Sequence, residues 1–134
     1  MLQLNLLTSG REEFLNITGK IQALVRESGL RSGLAVIFCP HTTCGLTINE
    51  QADPEVRADI LMALRKIVPD NLPWAHSEGN SPAHLKTSLL GSSLSVLIEN
   101  GELVLGTWQG IFLCEFDGPR NRKVLVKLLE SGKG

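Results

Sequence analysis

"SLSVLIENGELVLGTWQGIFLCEF", residues 93–116, decides the fold. It contains three strand-like runs, at 93–99, 103–108 and 111–116, with no helical period between them. Asn100-Gly101 separates the first two and is a strong hairpin signal, because both residues accept the positive φ angles of a tight two-residue turn. "DGPRNR" is a second turn, and "KVLVKLL" (123–129) follows as a last strand. Strands that run on in series, rather than alternating with helices, predict an antiparallel α+β protein.

The upstream sequence supplies the other layers. "MLQLNLLT" alternates Leu2, Leu4 and Leu6 with other residues, the period of a strand, and a short strand is expected around Glu13–Leu15 after the "SGR" turn. "NITGKIQALVRESG" reads as a helix with Ile17, Ile21, Leu24 and Val25 on one face and Gly29 as its C-terminal cap. "GLAVIFC" (33–39) is a buried strand, and "GLTIN" (45–49) is its expected partner across the Pro40–Thr43 connection. Asp53-Pro54 marks a helix start, with Asp53 as the N-cap. The helix through "EVRADILMALRKIV" turns Val56, Ile60, Leu64 and Ile67 inward and ends before Pro69. A short helix is expected in "PAHLKTSLLG". The whole is an α+β, seven- to eight-stranded, mostly antiparallel β-sandwich with two main helices, in one domain over residues 1–134.

The composition narrows the function. Thirteen Lys and Arg against fourteen Asp and Glu give a net charge of −1, and general nucleic-acid binding needs a basic face to displace counterions. Tyr is absent and the aromatics are scattered, so no base-stacking platform is visible. No apolar stretch reaches the ~20 residues that span a bilayer, and the N-terminus lacks a signal-peptide pattern. Cys39, Cys44 and Cys114 form no CxxC pair, which suits reduced, buried thiols in a cytoplasmic protein.

Three polar clusters carry the candidate chemistry. The first is His41 with Thr42, Thr43, Glu50 and Asp53. The second is His76, Glu78, Asn80 and His84 in "PDNLPWAHSEGNSPAH" (69–84), an irregular stretch of a length that is uncommon inside a compact domain. The third is Asp117 to Arg122, preceded by Glu115 and by Trp108-Gln109. Imidazoles and carboxylates on loops can converge on a divalent cation, although the spacing of His76 and His84 fits no zinc motif; surface histidines are the alternative. Arg120 and Arg122 suit bidentate phosphate contacts, or stand solvated in a turn. The helix start accounts for Asp53 on its own. Glycines around Trp108 mark a bulge, or the wall of a pocket.

Three blocks, "PHTTCGLTINEQADPEVRADI" (40–60), "HSEGNSPAHLKTSLLGSSLSV" (76–96) and "NGELVLGTWQGIFLCEFDGPRNRKV" (100–124), closely resemble the YjbQ-like family. That resemblance implies a homotrimer with the site near a subunit boundary. It implies a bound metal or anion associated with His41, His76 and His84, the metal being a divalent ion, zinc or magnesium. It also implies a secondary thiamine-phosphate synthase activity, joining a pyrimidinylmethyl diphosphate to a thiazole phosphate. In that reading His41, His84 and Glu50 are catalytic, Thr42, Asn80, Arg120 and Arg122 bind the phosphorylated substrate, and Trp108 and Gln109 wall the pocket. The alternatives are a trimeric protein that binds a metal or phosphometabolite without turnover, and a metal-assisted phosphohydrolase.

Overall fold

The computed structural model describes residues 1–132. In chain order the elements are β1 (Leu2–Leu7), β2 (Glu13–Asn16), α1 (Thr18–Ser28), β3 (Gly33–Phe38), β4 (Cys44–Glu50), α2 (Pro54–Ile67), α3 (Ser81–Leu90), β5 (Ser93–Glu99), β6 (Glu102–Leu103), β7 (Gln109–Glu115) and β8 (Asn121–Glu130). They build a five-stranded sheet, β1-β8-β3-β5-β6, and a three-stranded sheet, β2-β7-β4, with every pairing antiparallel. The α+β sandwich read from the sequence is the observed fold.

Two larger apolar clusters hold three layers together, beside a smaller one of Val25, Ala35 and Ile98. Ile37, Val96, Val124 and Val126 of the larger sheet pack against Leu46, Ile111 and Leu113 of the smaller one. The other face of the smaller sheet presents Phe14, Phe112 and Cys114 to Leu64 of α2 and Ala83 of α3. β7 is therefore covered on both sides, which explains why "GIFLCE" is uninterrupted by solvated residues: all six are buried. The Arg57 guanidinium lies 5.2 Å from the Phe112 ring centroid and adds a cation–π contact to the second core.

The local signals largely act as expected. Asn100 and Gly101 have φ of 53° and 75° and close the β5–β6 hairpin. Gly29 ends α1 at φ 74°, donating its N–H to Arg26 O at 3.1 Å. Asp53 caps α2 by accepting the Glu55 N–H at 2.9 Å. The three cysteines are free and buried.

Three expectations need correction. β3 and β4 do not pair; they belong to different sheets. The end of α3 is wedged between them: Cys39 N–H donates to Ser92 O at 2.8 Å and Leu46 N–H to Gly91 O at 3.0 Å. Gly45 permits this approach, since a Cβ there would meet Gly91 O at 2.8 Å. The expected strand at 103–108 is reduced to β6. Gly106 leaves the sheet in a turn, where Gln109 accepts the Gly106 N–H on Oε1 at 2.8 Å and returns its own N–H to Gly106 O at 3.1 Å. Ile67 faces solvent, 69% exposed, because the buried stripe of α2 centres on Leu64 and leaves Ile67 at its edge. Val56 and Ile60 are only half-buried.

Phe112→Ala empties the centre of the second core and removes the Arg57 contact. The expected loss is about 3–5 kcal/mol, read as a lower urea midpoint with an unchanged slope; a loss under about 1 kcal/mol contradicts this packing.

Candidate functional site

Glu115, the last residue of β7, and Arg122, near the start of β8, form a buried ion pair. Glu115 has no exposed surface and Arg122 has 6%. Arg122 Nε donates to Glu115 Oε1 at 2.9 Å, and Nη2 donates to Oε2. Nη2 also reaches Thr43 Oγ1 at 2.9 Å. The carboxylate further accepts from Thr8 Oγ1 at 2.7 Å and from the N–H groups of Phe116 and Asp117 at 3.1 and 3.2 Å. Burial by itself pushes this carboxyl up; the bonds from Arg122, Thr8 and Asp117 outweigh it and hold the group below its usual value.

This pair sets the position of the β3–β4 connection. Arg122 holds Thr43, and the next residue of β8, Lys123, donates its N–H to His41 Nε2 at 3.0 Å. A backbone amide can only donate, so Nε2 carries the lone pair and a neutral ring carries its proton on Nδ1. Burial, then the Arg122 charge, lowers the His41 pKa from its usual 6.5. His41 is thus presented as a neutral ring with one N–H to offer.

His41 lines two clefts. One, of about 510 Å³, brings it together with Thr42 and His84, with hydroxyls from Thr87, Ser88 and Ser92 around them. Thr87 Oγ1 is buried in this wall with no hydrogen-bond partner. The other, of about 470 Å³, lies over the β1–β8 pair. His76 meets His84 edge to face at 5.5 Å between ring centroids, with Glu78 Oε2 at 3.7 Å from His76 Nε2. The irregular 69–84 stretch therefore does deliver its histidines to one place.

Other predicted residues lie elsewhere. The register of β4 on β7 puts Cys44 beside Glu115 and Glu50 beside Gln109, at opposite ends of the strand pair. Seven residues of strand span about 20 Å, so Glu50 is beyond reach of His41 within one chain. Glu50 Oε2 accepts from Ala52 N–H at 3.2 Å instead. Trp108 stands at that far end, 63% exposed, with its carbonyl bonded to Gln51 N–H at 2.8 Å. Asn80 and Arg120 meet through Asp117: Asn80 Nδ2 and Arg120 Nη2 each donate to Asp117 Oδ2 at 3.0 Å. Asn80 Oδ1 is left buried and unpartnered. Arg122 is not a free anion ligand, because its fork is committed to Glu115.

The metal set suggested by the three histidines does not fit this arrangement. His41 keeps no lone pair for a cation while it accepts from Lys123, and among the described residues no group of three or more His, Cys, Asp or Glu could hold a metal ion. The sequence places Glu115 and Asp117 in a polar cluster without giving either a role, and it does not single out Lys123. A signal for Glu115 is nevertheless present: an acid inside an apolar run needs a buried partner.

A two-sheet α+β sandwich with a polar, histidine-lined cleft beside the β3–β4 connection defines the structural class. The chain belongs to the UPF0047 protein YjbQ-like family, which it matches over residues 2–131. It is 47% identical to the UPF0047 protein YugU of Bacillus subtilis, over 94% of this chain and 96% of that one. It is 51% identical to the UPF0047 protein MJ1081 of Methanocaldococcus jannaschii, over 91% and 88%. Among solved structures, an uncharacterized conserved protein of the YjbQ/UPF0047 family from Clostridium acetobutylicum superposes with a TM-score of 0.94 at 54% identity, covering 96% of this chain and all of that one. The conserved hypothetical protein TT1486 from Thermus thermophilus gives 0.90 at 48%, with 96% and 100% coverage.

Glu115→Ala strands a buried guanidinium and is expected to cost about 3–5 kcal/mol, measured by urea unfolding at neutral pH. The pH dependence has a definite sign. A carboxyl held below its free value of 4.5 stabilises the fold fully above that pH, and the contribution is lost as pH falls through the folded pKa. Glu115→Gln should flatten that part of the acid limb; an unchanged acid limb contradicts the pairing.

Proposed function

We propose that this chain is a group-transfer enzyme for phosphorylated small molecules, of the secondary thiamine-phosphate synthase type, working as a homotrimer whose sites form between chains. The observation that carries the reading is the cleft shared by His41, Thr42 and His84. Its walls offer imidazole N–H and hydroxyl donors and no carboxylate, which suits the oxygens of a diphosphate.

In this reaction the thiazole nitrogen attacks the pyrimidinylmethyl carbon. The C–N bond forms, the C–O bond breaks, and pyrophosphate leaves with the bonding pair. The protein needs to stabilise charge growing on the leaving group and to align the two reactants. His41, with its proton on Nδ1, donates to that group without first ionising. His84 and the hydroxyl of Thr42 add donors from the facing wall. No side chain has to act as a nucleophile.

The assembly is supported by what one chain leaves uncovered. Leu97 and Leu129 are exposed on the outer face of the five-stranded sheet, and both pair in register with Leu34. Phe38 extends this apolar face at the other end of β3. Apolar patches of this kind mark interaction surfaces. The roughly 20 Å of strand between Cys44 and Glu50, and the exposure of Trp108, fit a site in which the Glu50–Trp108–Gln109 end of one copy closes the His41–His84 end of another.

Steady-state assay of thiamine-phosphate formation from the two substrates, using protein from a host lacking its own synthase, tests the chemistry. His84→Ala is expected to lower turnover about a hundredfold or more; an unchanged rate rejects this cleft. Unfolding and refolding together the inactive His84→Ala and Glu50→Ala chains tests the assembly. Recovery of part of the activity is expected when the site is shared, and none when both residues serve within one chain. Absence of any product, with tight binding of another phosphorylated metabolite, would favour a binding protein.

A further inference from the structure

We infer that the second cleft beside His41 is a binding compartment for a small organic phosphate, built by Asn5, Leu7, Asn121 and Lys123. It is the second berth that a two-substrate reaction at His41 requires, and to that extent it rests on the reading above. Of these four residues only Asn121 lies in a polar cluster read from the sequence.

The geometry follows from strand register. In the β1–β8 pair, Asn5 lies opposite Lys123 and Leu7 opposite Asn121. Side chains on a strand alternate between faces, so these four share one face as a two-by-two patch. Leu6 and Arg122 fall on the other face, where both are buried. His41 closes the end of the patch, since its Nε2 is bonded to the Lys123 N–H. The resulting cleft of about 470 Å³ has room for a substituted ring.

The polar groups specify what it takes. Asn5 Oδ1 already accepts from Gln3 Nε2 at 2.8 Å, which leaves the Asn5 NH₂ free to donate. Among the described residues Lys123 has no acid partner, and no carboxylate lines the cleft. The Asn121 amide makes no hydrogen bond within the described chain and can adapt to either polarity. An excess of donors around one unneutralised ammonium selects an anion. Leu7, 72% exposed on the same face, offers an apolar surface beside it. A phosphate carried on a small apolar ring satisfies both halves. Among the described residues the hydroxyl-lined cleft on the other side of His41 is lined by no lysine or arginine, so the two compartments differ in chemistry.

Phenyl phosphate is a suitable probe, because it carries an apolar ring and a phosphate and lacks the diphosphate leaving group of the transfer reaction. Binding is measured on the full chain by calorimetry and by amide shifts in heteronuclear NMR spectra. The expected shifts centre on Asn5, Leu7, Asn121 and Lys123, and affinity falls with added salt. Lys123→Met is expected to weaken binding about tenfold or more, as for loss of a charge-assisted hydrogen bond. Leu7→Ser should weaken phenyl phosphate more than inorganic phosphate. Ser88→Ala, in the other cleft, should leave phenyl phosphate binding unchanged. Equal affinity in Lys123→Met, shifts centred on Thr87 and Ser88, or no binding to the wild type would each overturn the compartment. Binding with this pattern in a protein that forms no thiamine phosphate would keep the compartment and remove the transferase reading.

Discussion

The buried pair between Glu115 and Arg122 is the constraint on which the site depends. Taking two charges out of water costs several kcal/mol per ion, and the pair persists only where further hydrogen bonds complete each partner. Here they come from three segments: Thr8 after β1, Thr43 between β3 and β4, and the backbone after β7. Glu115 stands on a strand of the smaller sheet and Arg122 on a strand of the larger one, so the ion pair acts as a joint between them. An apolar pair of similar volume could fill the space, but it could not hold the Thr43 hydroxyl or fix the path of the 40–43 connection.

The placement of His41 follows from that joint. Arg122 anchors Thr43 while its neighbour Lys123 anchors the imidazole, so one turn of chain is gripped at two points from β8. The grip selects a tautomer, and burial together with the nearby guanidinium disfavours the charged ring. A neutral histidine so held presents its one N–H beside two clefts, while its one lone pair is taken by the Lys123 N–H. The far end of β4 tells the complementary story: Glu50 and Trp108 are displayed away from the histidines, at a distance that another copy of the chain could close.

Much of the fold was legible because local physics decides it. Asn100-Gly101 dictates a hairpin, Asp53-Pro54 a capped helix and Gly29 a helix end, whatever surrounds them. The β3–β4 relationship was not legible, since the wedge of Gly91 and Ser92 between those strands comes from residues over forty positions away. The convergence of His41 and His84 depends on the same wedge. Arg122 misled for a related reason: a Gly-Pro turn beside it resembles a solvated loop, while its true partner sits in the preceding strand. Asn5, Leu7, Asn121 and Lys123 share a face only because β1 pairs with β8, which no short motif announces.

Heteronuclear NMR of the His41 ring tests the central claim most directly. Two-bond ¹H–¹⁵N correlations at neutral pH should show Nε2 unprotonated and Nδ1 protonated, with titration to the charged form only below the ordinary histidine value of 6.5. In Arg122→Met the connection loses its anchor, and the ring should revert to mixed tautomers with a more ordinary pKa. A proton on Nε2 in the wild type, or an imidazole that charges at or above 6.5, would contradict the account.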